Sequence, residues 1–252
     1  MFRLRYRNLI FLSNKSKFSD DDYLIIFYGL GCSSDDLSFL LFNRVIKKHI
    51  LIPELPGHNN FKNNQSLLEF SKSMSQFLKK SKKITFFSHS VGGIIPILMC
   101  KFFLKSKDIF LINYEGNLTE YDTETLTKKT ISFAFDDFIN NKFNRLIEIS
   151  KNSSQESIRK WSSSLLKTSP KIFYEISKEC VKYSKRSLTL SFFKTFFKKK
   201  VYIYGEKSDF KFSFGNLGSP CYKIKNTGHF AHLEKKAIIS RLILTELKKR
   251  KT

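Results

Sequence analysis

The chain of 252 residues has no long apolar run and few cysteines. No stretch approaches the roughly 18 consecutive apolar residues of a membrane-spanning helix, so no membrane span is predicted. The four cysteines, Cys32, Cys100, Cys180 and Cys221, show no paired spacing. This argues against a disulfide framework and against a metal site, and it is typical of reduced thiols in the cytoplasm. We therefore expect a cytoplasmic protein that needs no metal and no cofactor.

Acidic residues are scarce, which leaves a large excess of positive charge. The chain has 45 Lys+Arg against 22 Asp+Glu, a formal net charge of +23. Such a surface attracts polyanions, including nucleic acid, anionic membranes and acidic proteins. No nucleic-acid-binding motif accompanies the charge, so no nucleic-acid partner is expected. Lysine, asparagine, isoleucine and phenylalanine share A/T-rich codons, so genome composition is an alternative explanation of the charge.

The order of apolar and polar segments indicates the fold class. Short runs rich in β-branched and aromatic residues alternate with amphipathic segments, as in a mostly parallel sheet flanked by helices. The length and the hydrophobic content of 41% suffice for one large core, so we expect a single α/β domain over residues 1–252. No internal repeat is evident. Strands are predicted at residues 4–12, 23–28, 49–52, 84–88, 108–114, 200–204 and 221–225, and helices dominate residues 118–196.

One predicted strand ends in a motif that carries chemistry. Residues 84–93 read ITFFSHSVGG, so an apolar strand breaks at Ser90 and a second apolar segment follows. The residues two before and two after Ser90 are Ser88 and Gly92, which are small enough for a tight turn between strand and helix. This is the layout of a nucleophile elbow, where the serine sits on a strained turn. An ordinary buried strand and turn with an incidental serine is the alternative interpretation.

A nucleophilic serine needs a base, and a suitable histidine lies near the C-terminus. Residues 221–230 read CYKIKNTGHF, a short strand that ends before His229. A histidine on the loop after the last strand can reach back over the carboxyl edge of the sheet. An ordinary pKa near about 6.5 lets it accept and return a proton at neutral pH. His58, His89 and His232 are weaker candidates, and His89 is expected to point away into the packed layer.

With two further segments, the chain resembles an α/β-hydrolase of the capped, esterase-like branch. Residues 23–36 read YLIIFYGLGCSSDD, similar to the strand and HGxG-like oxyanion loop of that family, and residues 50–58 read ILIPELPGH, similar to its D-x-PGHG segment. Tyr28 stands where the family usually has histidine, and Glu54 stands where it usually has aspartate. The resemblance covers nearly the whole chain. It implies an α/β-hydrolase sheet with a helical cap, residues 118–196, inserted between strands 6 and 7.

The resemblance also implies the remaining catalytic groups. The backbone N–H groups of Leu30 and Val91 would hold the oxyanion. The triad acid would be Asp209, which follows the penultimate strand but lies one residue beyond the commonest spacing, a place that Ser208 fills. Glu115, at the end of the strand before the cap, is the alternative, because some branches of the family keep their acid there. Asp209 is the preferred acid at this point.

The inserted segment limits the expected substrate. In the family it covers the nucleophile, and here it contains five large aromatic residues: Phe133, Phe135, Phe138, Phe143 and Trp161. Aromatic residues at helical spacing mostly pack into a core, but an enclosed apolar site favours a small or medium acyl chain over a polymer. We expect a serine hydrolase that cleaves a carboxylic ester of a small or medium apolar acyl group through an acyl-enzyme.

Narrower and competing functions follow from the same motifs. The architecture is similar to that of methyl-ester esterases acting on pimeloyl groups carried by acyl carrier protein, and a basic surface would suit an acidic acyl carrier protein as partner. Thioesterases and carbon–carbon bond hydrolases share the same triad. A ligand-binding protein of the same fold without turnover is the alternative from a different class. These residues do not determine the oligomeric state.

Overall fold

The fold is built on one sheet, and the computed structural model describes residues 1–18, 22–104, 108–209 and 214–250. Within these ranges eight strands pair in the order β1-β2-β4-β3-β5-β6-β7-β8. The strands are β1 (Phe2–Tyr6), β2 (Leu9–Ser13), β3 (Asp22–Phe27), β4 (His49–Pro53), β5 (Lys83–His89), β6 (Asp108–Tyr114), β7 (Lys199–Gly205) and β8 (Cys221–Ile224). β2 pairs antiparallel with both of its neighbours, β1 and β4. All the other neighbouring strands in this order are parallel to each other. The mostly parallel sheet predicted from the sequence is confirmed.

Burial follows the position of each strand in the sheet. Six of the seven residues in β5 and in β6 are buried, because both faces of a central parallel strand are covered. Their β-branched and aromatic residues suit such a two-sided core. The outer strand β1 is mostly exposed and carries Arg3 and Arg5, and charged side chains on an edge strand discourage pairing with other chains. The carboxyl ends of β3, β5, β6 and β7 therefore meet at one protected edge.

The prediction of one strand over residues 4–12 is wrong. This region forms the hairpin of β1 and β2, in which Tyr6 pairs with Leu9 across a tight turn. Arg7 in that turn has a φ of 53°, in the left-handed region. Turns of this kind usually contain Gly or Asn at the left-handed position, so an arginine there gives no recognisable turn signal. The alternation of apolar residues runs through the turn and conceals it.

The helices occupy the connections between strands. The α-helices are α1 (Leu67–Phe77), α2 (Ile94–Phe102), α3 (Thr127–Ile131), α4 (Phe135–Asp137), α5 (Phe143–Lys151), α6 (Glu156–Leu165), α7 (Pro170–Ser184), α8 (Leu188–Phe196), α9 (Ala231–Glu234) and α10 (Lys236–Lys249). Shorter 3-10 segments include Ser34–Phe42 and Ser90–Gly93, and Phe138–Lys142 is a π-helix. In the described ranges, no helix is long and apolar enough to cross a membrane.

Six helices, α3 to α8, lie between β6 and β7, within the segment predicted to be helical. We call residues 118–196 the cap. The rings of Phe138, Phe143 and Phe173 pack together inside it, with centroids 5.4–5.9 Å apart. These aromatic residues give the cap an apolar core of its own. It follows the carboxyl end of β6 and precedes the amino end of β7.

The turn from β5 into α2 passes very close to the end of β3. A Cβ on Gly92 would lie 2.5 Å from the carbonyl oxygen of Tyr28 and 2.8 Å from that of Phe27. Backbone atoms cannot move away as a flexible side chain can, so only glycine fits. Ser90, two residues earlier, has a φ of 54°. The strained turn and its close crossing are the geometry predicted for the nucleophile elbow.

Replacing Gly92 should therefore destabilise the fold. We expect Gly92→Ala to lower the free energy of unfolding by about 1–3 kcal/mol or more, the usual cost of overpacking, and to lower the Tm by several degrees. Thermal unfolding followed by circular dichroism measures this. The control is Gly228→Ala, since a Cβ at Gly228 meets nothing within 4 Å. Equal Tm values for Gly92→Ala and the wild type would contradict the close crossing.

Candidate active site

Ser90 stands at the carboxyl end of β5, on the turn just described, and lines a cavity of about 730 Å³. A non-glycine residue at positive φ is uncommon and marks a position where the surrounding fold enforces strain. The turn lifts the hydroxyl off the end of the strand and towards the cavity. Within the described residues no hydrogen bond joins Ser90 to a histidine. Catalytic contacts of this kind often tighten only when substrate binds.

Ser88, which replaces the glycine usual in the elbow motif, is accommodated by the neighbouring strand. Its Oγ donates to Asn113 Oδ1 at 3.1 Å, and the two residues are register partners on β5 and β6. Both side chains are fully buried. The added hydroxyl is thus satisfied rather than left as an unpaired polar group. This departure from the usual motif does not disturb the turn.

His229 lies on the loop after β8 and also lines the cavity. Its Nδ1 is 2.6 Å from Glu115 Oε2. An ionised carboxylate can only accept, so Nδ1–H donates and the lone pair is on Nε2. The backbone oxygen of His229 contacts Nε2 of the buried His89 at 2.9 Å. The ring is therefore oriented by a carboxylate on one side, while its main chain is held by a histidine next to Ser90.

Glu115 is held at the end of β6 by more than this contact. Its Oε1 accepts from the backbone N–H of Gly205 at 2.6 Å and from Ser208 Oγ at 2.7 Å. Its own backbone N–H donates to Ile203 O, and its φ of 43° turns the chain sharply at the end of the strand. The side chain of Glu115 is 3% exposed, against 41% for His229. A buried carboxylate with three donors is a fixed acceptor for the imidazole.

The structure does not bring Asp209, the acid preferred from the sequence, to His229. Asp209 is exposed at the rim of the same cavity and has no hydrogen-bond partner among the residues described. The position before it, Ser208, instead donates its hydroxyl to Glu115. Its place after the penultimate strand favoured Asp209, but the bend at the end of β6 points the Glu115 carboxylate at the histidine. In this geometry Glu115 occupies the place of a triad acid.

Leu30 and Val91, the predicted oxyanion donors, both line the cavity beside Ser90. Val91 is the second residue of the 3-10 segment that begins at Ser90, where backbone N–H groups have no acceptor within the helix. The loop that carries Leu30 is fixed from the cap, because Trp161 Nε1 donates to Leu30 O at 3.1 Å. The cap thus reaches directly into the candidate site.

His58 supports the same loop, a role that sequence reasoning missed. The Gly31 N–H donates to His58 Nε2 at 3.0 Å, and His58 Nδ1–H donates to Pro56 O at 2.8 Å. Burial lowers the pKa of His58 from 6.5 to about 4, because the charged form is excluded from the interior. The neutral ring is required, since Nε2 must accept. The PGH sequence around His58 was the available signal.

Tyr28 and Glu54, the two departures from the family pattern, contact each other. Tyr28 OH donates to Glu54 Oε2 at 3.1 Å and accepts from the Leu55 N–H at 2.7 Å. Ser34 and Asn59 donate to the other oxygen of Glu54. Burial raises the pKa of both Tyr28 and Glu54. The two substitutions form one satisfied network beneath the oxyanion loop, so they do not separately weaken the site.

The cavity walls are mixed in character. Besides the groups already named, they contain Asn117, Tyr121, Asp122, Thr125, Leu126, Thr127, Gln155, Trp161, Lys207, Asn226, Gly228, Phe230 and Glu234. Of the five aromatic residues singled out in the cap sequence, Trp161 lines the cavity, stacked on Phe230 with centroids 5.5 Å apart. The other four are not among the lining residues.

Comparisons with known proteins identify the fold of the chain. No family model and no curated protein matches the sequence. Among solved structures, a carboxylesterase of Nitrososphaera gargenis superposes with a TM-score of 0.73 at 15% identity, over 98% of this chain and 99% of the other. MenH from S. aureus superposes with a TM-score of 0.72 at 17% identity, over 98% of this chain and 100% of the other. The chain has the α/β-hydrolase fold. The N-acyl homoserine lactonase AidH shares this fold. It superposes with a TM-score of 0.67 at 15% identity, over 95% of this chain and 92% of the other.

Because His58 is buried in its neutral form, we expect the protein to lose stability in acid. Because its folded-state pKa of about 4 lies below the ordinary 6.5, the unfolded chain binds a proton that the folded chain does not. Stability from this group is fully present above pH 6.5 and is lost as the pH falls towards 4. At about 1.4 kcal/mol for each pH unit, the loss is about 3 kcal/mol.

Urea unfolding of wild type and His58→Gln at several pH values measures this. We expect the stability advantage of the wild type to shrink by up to about 3 kcal/mol between pH 7 and pH 4. The control is the interval from pH 8 to pH 9, where His58 is neutral in both states and the advantage should stay constant. An advantage that is the same at pH 4 and pH 7 would contradict a buried neutral imidazole.

Proposed function

We propose that the protein is a serine hydrolase that cleaves a carboxylic ester of a small or medium apolar acyl group. The observation that carries this proposal is the convergence of three groups on one cavity: Ser90 on its strained turn, and His229 with its Nδ1 held 2.6 Å from Glu115. Serine, histidine and carboxylate follow the strand ends of an α/β-hydrolase sheet, where this chemistry is usual. The fold alone would not support the proposal, because it also serves other functions.

The reaction would proceed in two halves. Ser90 Oγ attacks the ester carbonyl while its proton passes to His229 Nε2, and the carbonyl π electrons move onto oxygen. As the tetrahedral intermediate collapses, the C–O bond to the alcohol breaks and the leaving oxygen takes the proton from His229. Water then attacks the acyl-Ser90 ester with the same help from His229. This releases the carboxylic acid and restores the serine hydroxyl.

Charge that develops in this reaction has matching groups in the proposed site. The oxyanion would be met by the N–H groups of Leu30 and Val91, and each preorganised donor is worth about 3–4 kcal/mol in such sites. The imidazolium that forms on His229 is stabilised by the Glu115 carboxylate, which also holds the ring in the correct tautomer. The Gly205 and Ser208 donors keep that carboxylate in place.

The cavity supports an uncharged acyl chain as substrate. Trp161, Phe230, Tyr121 and Leu126 offer apolar surface beside Ser90. The charged lining is mainly acidic, with Asp122, Asp209 and Glu234 besides Glu115, against one lysine, Lys207. The whole protein has a formal net charge of +23, whereas the charged side chains that line this cavity are mostly acidic. An anionic acyl chain would therefore face repulsion at close range.

Covalent labelling tests the nucleophile and the base. We expect a fluorophosphonate probe to add one adduct to the wild type, seen by intact mass, and short p-nitrophenyl esters to be hydrolysed. Ser90→Ala and His229→Ala should lose the adduct and at least about 10³-fold in kcat, since each removes a member of the triad. The matched control is Ser132→Ala, an exposed serine on the cap. No adduct on folded wild type would refute the proposal and favour a ligand-binding protein.

A pair of isosteric variants identifies the acid. We expect Glu115→Gln to lower kcat by about 10³–10⁴-fold, because an amide cannot stabilise the imidazolium. Asp209→Asn should change kcat by less than about threefold, since the structure gives Asp209 no contact with His229. Steady-state hydrolysis of the same esters measures both. The reverse order of effects would assign the acid to Asp209.

A further inference from the structure

Three buried side chains from distant parts of the chain converge behind the candidate active site. Cys32 Sγ and one ring nitrogen from each of His89 and His232 all lie within 4.8 Å of one another. All three residues are fully buried. The rings of His89 and His232 have centroids 4.4 Å apart. Apart from the contact of His89 with the main chain of His229, the proposed ester chemistry does not use this cluster.

Hydrogen bonding leaves three of the four imidazole nitrogens of the cluster unsatisfied. His89 Nε2 lies 2.9 Å from the backbone oxygen of His229, and a carbonyl can only accept, so Nε2 carries the hydrogen. His89 Nδ1 therefore holds a lone pair, and it has no partner in the described structure. Neither nitrogen of His232 has one. Each unpaired buried polar atom costs stability, so three in one place require an explanation.

The cluster has the chemical form of a set of metal ligands. Burial lowers the pKa of His89 well below its usual value and that of His232 to about 3, so both rings are neutral and offer lone pairs. Burial raises the pKa of the Cys32 thiol, which would have to ionise on binding. Metal binding to cysteine normally drives this loss of a proton. Two imidazoles and one thiolate suit a borderline or soft ion rather than Mg²⁺ or Ca²⁺.

We propose that Cys32, His89 Nδ1 and His232 bind a Zn²⁺ ion. As the zinc–sulfur bond forms, the Cys32 thiol releases its proton to solvent, and no electrons are transferred. The three side chains supply three ligands, and a water molecule completes the tetrahedron. This site is distinct from the cavity of Ser90, since none of its three residues is among the cavity-lining residues.

The distances permit this assignment with a small adjustment. Zinc bonds of about 2.0–2.3 Å place two ligand atoms about 3.4–3.8 Å apart, so a separation of 4.8 Å must close by about 1 Å. His232 has no hydrogen bond that holds its ring, and His89 has one, which leaves Nδ1 free. A small rotation of the His232 ring and of the Cys32 side chain would bring the atoms together while His89 keeps its contact with His229 O.

The position of the ion gives it a structural role. Cys32 ends the turn that carries Leu30, with its N–H donating to Gly29 O at 3.1 Å. His89 precedes Ser90 in the chain, and His232 is three residues after His229. The zinc ion would tie together the three segments that bear the oxyanion donor, the nucleophile and the base. Because the three ligands are buried and none of them lines the Ser90 cavity, the ion would stabilise their arrangement and would not contact substrate.

Metal binding can be measured without any substrate, so this test does not depend on the hydrolase proposal. Untagged protein is stripped with a chelator, kept reduced without added thiol, and titrated with Zn²⁺ against a chromophoric competitor. We expect one Zn²⁺ per chain with a Kd below about 1 μM and a rise in Tm on binding. Co²⁺ should give a thiolate-to-cobalt charge-transfer band, which reports directly on Cys32.

Matched variants locate the site. We expect Cys32→Ala and His232→Phe each to weaken Zn²⁺ binding at least about 100-fold and Cys32→Ala to abolish the cobalt band. Cys180→Ala is the control for an equally buried thiol, and His229→Ala excludes chelation by the exposed histidine beside Glu115; both should bind Zn²⁺ as the wild type does. Cys32→Ser serves if the alanine variant does not fold.

Two results would overturn the proposal. One is a reduced wild type that binds no Zn²⁺ and gives no thiolate-to-cobalt band. The other is binding that persists unchanged in folded Cys32→Ala or Cys32→Ser and in folded His232→Phe. In the second case, a simultaneous loss of binding in His229→Ala would place the ion at the exposed histidine instead. Both conclusions hold whether or not the protein hydrolyses esters.

Discussion

The candidate site depends on the hydrogen bond between His229 and the buried carboxylate of Glu115. This carboxylate lies where β6 ends and joins three elements: the loop after β8 through His229, the end of β7 through Gly205, and the following turn through Ser208. The cap begins only a few residues later, so the same position also fixes where the cap leaves the sheet. One side chain therefore holds the candidate base and stands just before the residues where the cap begins.

Departures from the usual family pattern occur here as interacting sets of residues. Ser208 fills the place where an aspartate is common, and its hydroxyl reaches the carboxylate that stands one strand away. Tyr28 and Glu54 replace a histidine and an aspartate and hydrogen-bond to each other. A buried polar group is tolerated only when its partners change with it. The site thus preserves its contacts although several residue types differ.

Much of the architecture could be predicted because its signals are local. Apolar runs located the central strands, and small residues around Ser90 located the elbow. The sequence could not decide between the two candidate acids, Asp209 and Glu115, because the choice depends on which strand end meets His229 in space. Arg7 hid the N-terminal turn for a local reason, because it occupies a left-handed position where Gly or Asn is usual. Cys32, His89 and His232 lie far apart in the chain, so no spacing rule could have joined them.

The hydrogen bond from Trp161 to Leu30 O links α6 of the cap to the loop that carries Leu30. At 3.1 Å this contact is near the upper end of the normal range, and a displacement of α6 by about 1 Å would break it. The Leu30 carbonyl would then lose its donor, while the Gly31 N–H of the same peptide would keep its contact with His58 Nε2. The two halves of one peptide group in this loop are thus held from different parts of the chain, the carbonyl by a cap helix and the N–H by the segment after β4.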